Sequence, residues 1–277
     1  MRPNKNILKY PGSKWTIAPW IVEHFPAGYE RMTYLEPFFG SGAVFFTKER
    51  SKVETINDLD SDVVNLFRMA RDYPEELARA VYLTPWAREE YAESYSDSGE
   101  IDDVERARRF IVRMWQAIGA KSSTKTGWRK NIKAANGNVA RFCTNIPSNI
   151  LAICQRLKHA SPNNIVQIDN IDAFEIIRRH NQHNCVIYAD PPYLMETRNG
   201  RIYKHEFTNE QHRKLLALLM EHCGPVLLSA YKSPLYEDTL ADWHRYETTC
   251  HTESATERTE TLWCNYEASQ QLKFAEL

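Results

Sequence analysis

Seven short stretches rich in β-branched and aromatic residues punctuate the chain, and helical periodicity fills the gaps between most of them. They run around Thr33 to Glu36, Val53 to Asn57, Ile165 to Ile168, Cys185 to Ala189, Pro225 to Ser229, Arg245 to Cys250 and Thr261 to Tyr266. Between them lie runs such as Ser61 to Arg71, apolar at Val63, Val64, Leu66, Phe67 and Ala70, and Asn209 to Cys223, apolar at Leu215, Leu216, Leu218 and Leu219. Such alternation permits few folds. Parallel strands need long crossovers, helices supply them, and the resulting sheet is covered on both faces. The last two stretches have no helix between them, which predicts an antiparallel hairpin at one edge. The expected class is α/β, with a seven-stranded, mostly parallel sheet.

The rhythm breaks once. From about Tyr73 to Lys158 the pattern is helical, with Asp103 to Ile118 apolar at Val104, Phe110, Ile111, Met114, Trp115 and Ile118, followed by the polar stretch AKSSTKTGWRKNIKAANGNVARF. Residues 71–158 therefore read as an inserted, mostly helical domain, and 1–70 with 159–277 as the main one. A net charge of −1 conceals an asymmetry inside this insertion. Arg71 to Asp103 holds ten acids against three arginines, whereas Val104 to Arg141 holds ten bases against the single acid Glu105. Two readings stay open: helix faces that pair with each other, or a basic surface that attracts a phosphate backbone. The polar stretch is too long for an ordinary connection, so it is a functional loop or an unstructured one.

At 277 residues and 43% hydrophobic, the chain can bury a large core without covalent staples. Its six cysteines form no C-x-x-C pair and no regular spacing, so neither a disulfide framework nor a metal site is expected. The start, MRPNKNILKY, lacks the apolar core of a signal peptide, and no apolar run reaches membrane-spanning length. A soluble, cytoplasmic protein with no membrane partner is expected.

Chemistry concentrates where strands end. The first runs into EPFFGSGAVFF, in which Gly40 and Gly42 permit a tight turn and a close approach of ligand to backbone. The second runs into INDLD, placing Asp58 about 20 residues beyond that turn, where a carboxylate can accept from ribose hydroxyls. Beyond the third lies Asp172 in IDNIDAF, an acceptor for an exocyclic amine or a helix cap. These strand ends converge on an adenosine-containing cofactor. The fourth ends in ADPPYL. Two prolines there fix the backbone, so Asp190, the Pro191 carbonyl and the Tyr193 ring project in set directions toward a planar base bearing an NH2.

EPFFGSGAVFF and ADPPYL, preceded by LKYPGSKW at residues 8 to 15, resemble the DNA N6-adenine methyltransferases of the Dam type. The resemblance implies a Rossmann-like class I methyltransferase fold and S-adenosylmethionine as cofactor. It implies cofactor contacts from Tyr10, Gly12, Ser13 and Lys14, from Glu36, Pro37, Phe38, Gly40, Ser41 and Gly42, and from Asp58, Asp172, Ala173 and Asp190. Asp190, Pro191, Pro192 and Tyr193 are the implied catalytic box, and the motif order resembles the family's alpha arrangement. The implied reaction is direct methylation of adenine N6 in double-stranded DNA, the base being flipped out onto Tyr193, with Tyr203 or Phe207 beside it. Lys121, Lys125, Trp128, Arg129, Lys130, Asn131 and Lys133 are the candidate DNA contacts. SAYKSPLY (229–236) and ETLWCNY (260–266) resemble segments lining the family's target pocket, or are plain sheet core. RNA N6-adenine methylation, cytosine N4 methylation and a noncatalytic DNA-binding role are the competing readings. A monomer or weak dimer is expected; the target sequence and any cognate restriction endonuclease are not read from these residues.

Overall fold

A computed structural model describes residues 6–96, 99–119, 121–130, 137–158, 164–197, 200–251 and 257–268. Its strands are β1 (Thr33–Glu36), β2 (Val53–Asn57), β3 (Ile165–Asp169), β4 (Cys185–Ala189), β5 (Val226–Ala230), β6 (His244–His251) and β7 (Glu257–Cys264). They form one sheet in the order β3-β2-β1-β4-β5-β7-β6, parallel throughout except for β7, which runs antiparallel to both neighbours. This is the mostly parallel sheet with an antiparallel edge hairpin that the strand pattern predicts, and the class I methyltransferase fold that the resemblance implies. β4 sits near the middle, and all five of its residues are buried. Val186 and Tyr188 enter the core on one face; Cys185, Ile187 and Ala189 enter it on the other. A strand covered on both sides has no polar row to display, which is why CVIYA reads as a continuous apolar run.

The helices are α1 (Ala18–Glu23), α2 (Ala43–Thr47), α3 (Ser61–Asp72), α4 (Pro74–Tyr82), α5 (Arg88–Glu93), α6 (Asp103–Gln116), α7 (Asn138–Ala140), α8 (Ile146–Leu157), α9 (Ala173–Arg179), α10 (Asn209–Met220) and α11 (Pro234–Thr239). α9, α10 and α11 cover one face through Phe174, Ile176, Leu215, Leu219 and Tyr236. The other face is covered by α1, α2 and α3, and the helices of the 71–158 segment continue that same core through Leu77, Phe110, Ile111, Phe142 and Ile150. The segment is also stitched to the chain's start: Trp115 Nε1 donates to the Ile7 carbonyl at 3.0 Å, and Asn149 Nδ2 to the Asn6 carbonyl at 2.9 Å.

Helix starts follow their caps. Asp60 accepts from Asp62 N ahead of α3, Asp102 from Glu105 N ahead of α6, and Thr208 and Gln211 form a reciprocal capping box on α10. The last strand differs from the sequence expectation. It begins at Glu257, not Thr261, because its polar first half pairs with β6 alone while Thr261–Cys264 also pairs with β5. With no third strand beside it, the first half needs no apolar pattern. Among the described residues no helix is long and apolar enough to cross a membrane, and no cluster of His, Cys, Asp and Glu is arranged to hold a metal.

Candidate functional site

The carboxyl ends of β1, β2, β3 and β4 open on a cavity of about 370 Å³. Of the candidate cofactor residues, Tyr10, Gly12, Ser13, Lys14, Glu36, Pro37, Phe38, Gly40, Ser41, Asp58, Asp172, Ala173 and Asp190 line it; Gly42 does not. Gly42 serves the turn instead. Its φ is +67°, and a Cβ there would lie 2.4 Å from Phe39 Cζ and 2.8 Å from Phe46 Cε2, so only glycine lets the chain leave β1 and enter α2 at this point.

Asp58 Oδ2 accepts from Gly40 N and Oδ1 from Asp60 N, both at 2.8 Å, so the acid ending β2 organises the turn after β1. Burial raises its carboxyl to about 7, against the opposing pull of those N–H groups. Asp172 is a helix cap, Oδ1 accepting from Phe174 N and Glu175 N ahead of α9, and the residue also lines the cavity. Nearby, Phe207 stands between Phe174, stacked at 5.7 Å, and Phe38, edge-on at 5.5 Å. Phe207 thus joins the cavity wall, as do Asp172 and Ala173.

Asn57 escaped the sequence reading. Fully buried at the end of β2, it donates to the carbonyls of Pro37 and Ile171 at 3.0 and 3.1 Å and accepts from Ile171 N at 3.0 Å, lacing two cavity walls together. On the far wall, Glu36 is 2% exposed and accepts from the Tyr34 hydroxyl at 2.6 Å. Burial pushes its carboxyl up to about 8; the hydrogen bond from Tyr34 opposes the rise, and the nearby Asp190 charge adds to it.

Asp190 leaves β4 at the inner end of the cavity, its carboxyl raised by burial and pulled back by Lys14. The Lys14 ammonium lies 2.9 Å from Asp190 Oδ1 and forms an ion pair with it. The ammonium also donates to the Gly12 carbonyl at 2.9 Å and sits 4.7 Å above the Tyr193 ring. Burial works against its charge, but Asp190 and Glu260 together hold it well above the ordinary lysine value. Pro192 lines the cavity; Pro191 and Tyr193 are not part of its lining. Tyr193 donates its hydroxyl to Glu260 and meets Tyr231 edge-on at 4.5 Å.

The segment following the box walls the mouth. Tyr203 donates to the Pro11 carbonyl at 3.3 Å, and a Cβ on Gly12 would lie 2.3 Å from the Tyr203 hydroxyl. Lys204 reaches Asp60 at 3.0 Å and Asp62 at 3.5 Å. The basic stretch docks on this segment from outside: Ser122 N donates to the Ile202 carbonyl at 2.9 Å, and Lys204 N donates to Ser122 Oγ at 3.1 Å.

The charge asymmetry of the insertion resolves residue by residue. The arginines of α6 are paired: Arg106 and Arg113 with Asp62, Arg108 with Glu90 and Glu105, Arg109 with Glu105. Beyond them the chain doubles back, with Ala117 bridging Trp128 and Arg129 N donating to the Gln116 carbonyl at 2.7 Å. Trp128 Nε1 donates to Gln116 Oε1 at 3.1 Å and Arg129 Nε to the Ala117 carbonyl at 3.0 Å, so both build the return. Lys121 is half-buried; Lys125 and Lys130 are exposed. Asn131 and Lys133 lie outside the described residues.

Residues 10–257 match the model of a family described as the D12 class of N6 adenine-specific DNA methyltransferases. The chain is 30% identical over 266 residues to the type II methyltransferase M1.LlaDCHI of Lactococcus lactis subsp. cremoris, with 87% of each chain covered. Shorter similarities reach the DNA adenine methylase of Serratia marcescens, 28% over 100 residues, covering 36% of this chain and 33% of the other. The DNA adenine methylase of Escherichia coli K12 is 30% identical over 80 residues, covering 29% and 27%.

Proposed function

The chain belongs to the D12 class of N6 adenine-specific DNA methyltransferases, and from that premise we propose that its methyl donor is S-adenosylmethionine, its substrate duplex DNA and its catalytic carboxylate Asp190. The observation that carries this reading is the meeting, in one cavity, of the acceptors Asp58 and Asp172 with Asp190 at the inner end. The residues fit such a donor. Asp58 offers acceptors suited to ribose hydroxyls, Asp172 and the Phe38–Phe207 wall suit an adenine ring, and buried Glu36 suits a cationic methionine end. When bound, S-adenosylmethionine supplies an electrophilic methyl group.

Asp190 and the Pro191 carbonyl act on the target. In free adenine the N6 lone pair is delocalised into the ring, so two acceptors drawing on the amine protons favour a more tetrahedral, nucleophilic nitrogen. The nitrogen that gains a methyl group sheds one proton, and Asp190 is the carboxylate in reach. Proline at 191 and 192 keeps both acceptors rigid, which preserves orientation. A base inside a duplex cannot reach a buried carboxylate, so it is extruded before reaction. Residues 71–158 serve as the target-reading part and 1–70 with 159–277 as the catalytic part; Lys121, Lys125 and Lys130 hold phosphates, and Trp128 and Arg129 shape the loop that presents them.

Transfer of labelled methyl from S-adenosylmethionine to unmethylated duplex DNA, followed by nucleoside analysis, tests the reading. N6-methyladenine is expected; N4-methylcytosine, or labelled RNA alone, contradicts it. Asp190→Ala is expected to abolish transfer and leave donor binding within about threefold, and an equal loss of both would refute this division of roles.

A further inference from the structure

Glu260 breaks the pattern of its strand. In β7 it shares a row with Leu262 and Cys264, both of which belong to the core that also holds Ile17 and Tyr188. An apolar residue fits that row, yet a carboxylate 3% exposed occupies it. Burying a charge without partners is strongly unfavourable, so its partners define what it does. They are two. Tyr193 donates its hydroxyl to Glu260 Oε1, and the Lys14 ammonium lies 3.8 Å from the same oxygen. That ammonium is the one 2.9 Å from Asp190, so two carboxylates, buried Glu260 and half-buried Asp190, share one cation.

We propose that Glu260 is a positioning residue for methyl transfer: it gives Lys14 a second anchor, so that Asp190 can release the ammonium and accept the target amine. The inference rests on the role assigned above to Asp190. A lysine ammonium held on Asp190 lowers the carboxylate's capacity to accept, and it would repel a nitrogen that becomes positive as it is methylated. Moving the ammonium to hydrogen-bond distance of Glu260 takes a shift of about 1 Å, a small change for a lysine side chain. The charge then stays compensated, and Lys14 keeps its bond to the Gly12 carbonyl as a pivot. Tyr193 does not follow, because Glu260 holds its hydroxyl independently. Burial raises the Glu260 carboxyl while Lys14 pulls it down, so the residue's charge depends on the cation it anchors.

The test separates charge from shape. Glu260→Gln keeps an acceptor for the Tyr193 hydroxyl and removes the anchor. Its single-turnover rate on unmethylated duplex DNA is expected to fall by about tenfold or more, with the donor Kd within about threefold and melting temperature nearly unchanged. In a Lys14→Met background the same substitution is expected to change the rate by less than about twofold, since no ammonium remains to be anchored. Glu260→Asp, which keeps the charge, is expected to fall between wild type and Glu260→Gln; it also replaces the Gln variant in the Lys14→Met comparison if that variant fails to fold. Equal losses in both backgrounds, or a Gln variant as fast as wild type, would overturn the proposal. If Glu260→Gln is as fast as wild type while Asp190→Ala is inactive, only Glu260's role is lost; an active Asp190→Ala removes the reading of the pocket itself.

Discussion

Glu36 and Asp58 take up protons when the chain folds, because burial raises their carboxyls to about 8 and about 7. Their contribution to stability is therefore fully present below the ordinary carboxylate range and is lost as pH rises through about 7 and then about 8. A cation at Glu36 or a hydroxyl donor at Asp58 favours the ionised forms, so binding of S-adenosylmethionine near pH 7 is expected to expel protons and to tighten between pH 6 and pH 8. Calorimetry in buffers of different ionisation enthalpy measures this directly, and a binding enthalpy independent of buffer would contradict it. Asp58 was legible in the sequence because it stands where a strand ends, a position that local pattern reveals, whereas Glu36 came from the resemblance alone. Lys204, Asn57 and the ties of Glu260, whose segment only the resemblance picked out, were not. Their partners lie 144, 114 and 67 residues away, and no window of sequence contains both ends of such contacts.

Elements were legible to the degree that burial enforces their pattern. The two-sided burial of β4 makes an unbroken apolar run, and the one-sided packing of α3 and α6 makes an amphipathic one. The outer half of the β6–β7 hairpin has no third strand beside it and a polar sequence, so its start went unread. One tie between elements was equally hidden. Glu54, 1% exposed on β2, meets Lys48 Nζ at 2.5 Å from the end of α2, and Arg156 Nη1 and Nη2 at 2.5 and 2.8 Å from α8. Burial works against the Glu54 charge, but Lys48 and Arg156 outweigh it and hold the carboxyl below its ordinary value. Glu54→Ala strands two buried cations and is expected to destabilise the fold by about 3–5 kcal/mol, read as a lowered urea midpoint. A loss under about 1 kcal/mol would mean that water or rearrangement satisfies both. Through this contact the far end of the 71–158 segment is fixed to the sheet.

Across the whole molecule, the sequence revealed the basic excess of residues 104–141 but not which charges are free to act. Four arginines of α6 are committed to acids on α3, α5 and α6 itself, whereas Lys125, over the Tyr91 and Tyr95 rings, and Lys130 are exposed on the returning loop. Replacing those two lysines with glutamine is expected to flatten the log–log salt dependence of DNA binding by about two, whereas Arg109→Gln is expected to leave it unchanged. Fluorescence anisotropy across a salt series distinguishes the two, and a flattening from Arg109→Gln alone would place α6 in the interface. The contact of Ser122 with Ile202 and Lys204 has a wider consequence, since it joins that loop to the turn walling the cavity. Free energies around a closed cycle must sum to zero, so a small molecule that braces the turn strengthens the grip on the duplex by the same factor by which the duplex retains the small molecule. If the proposed donor is that molecule, its loss is expected to loosen the grip on DNA.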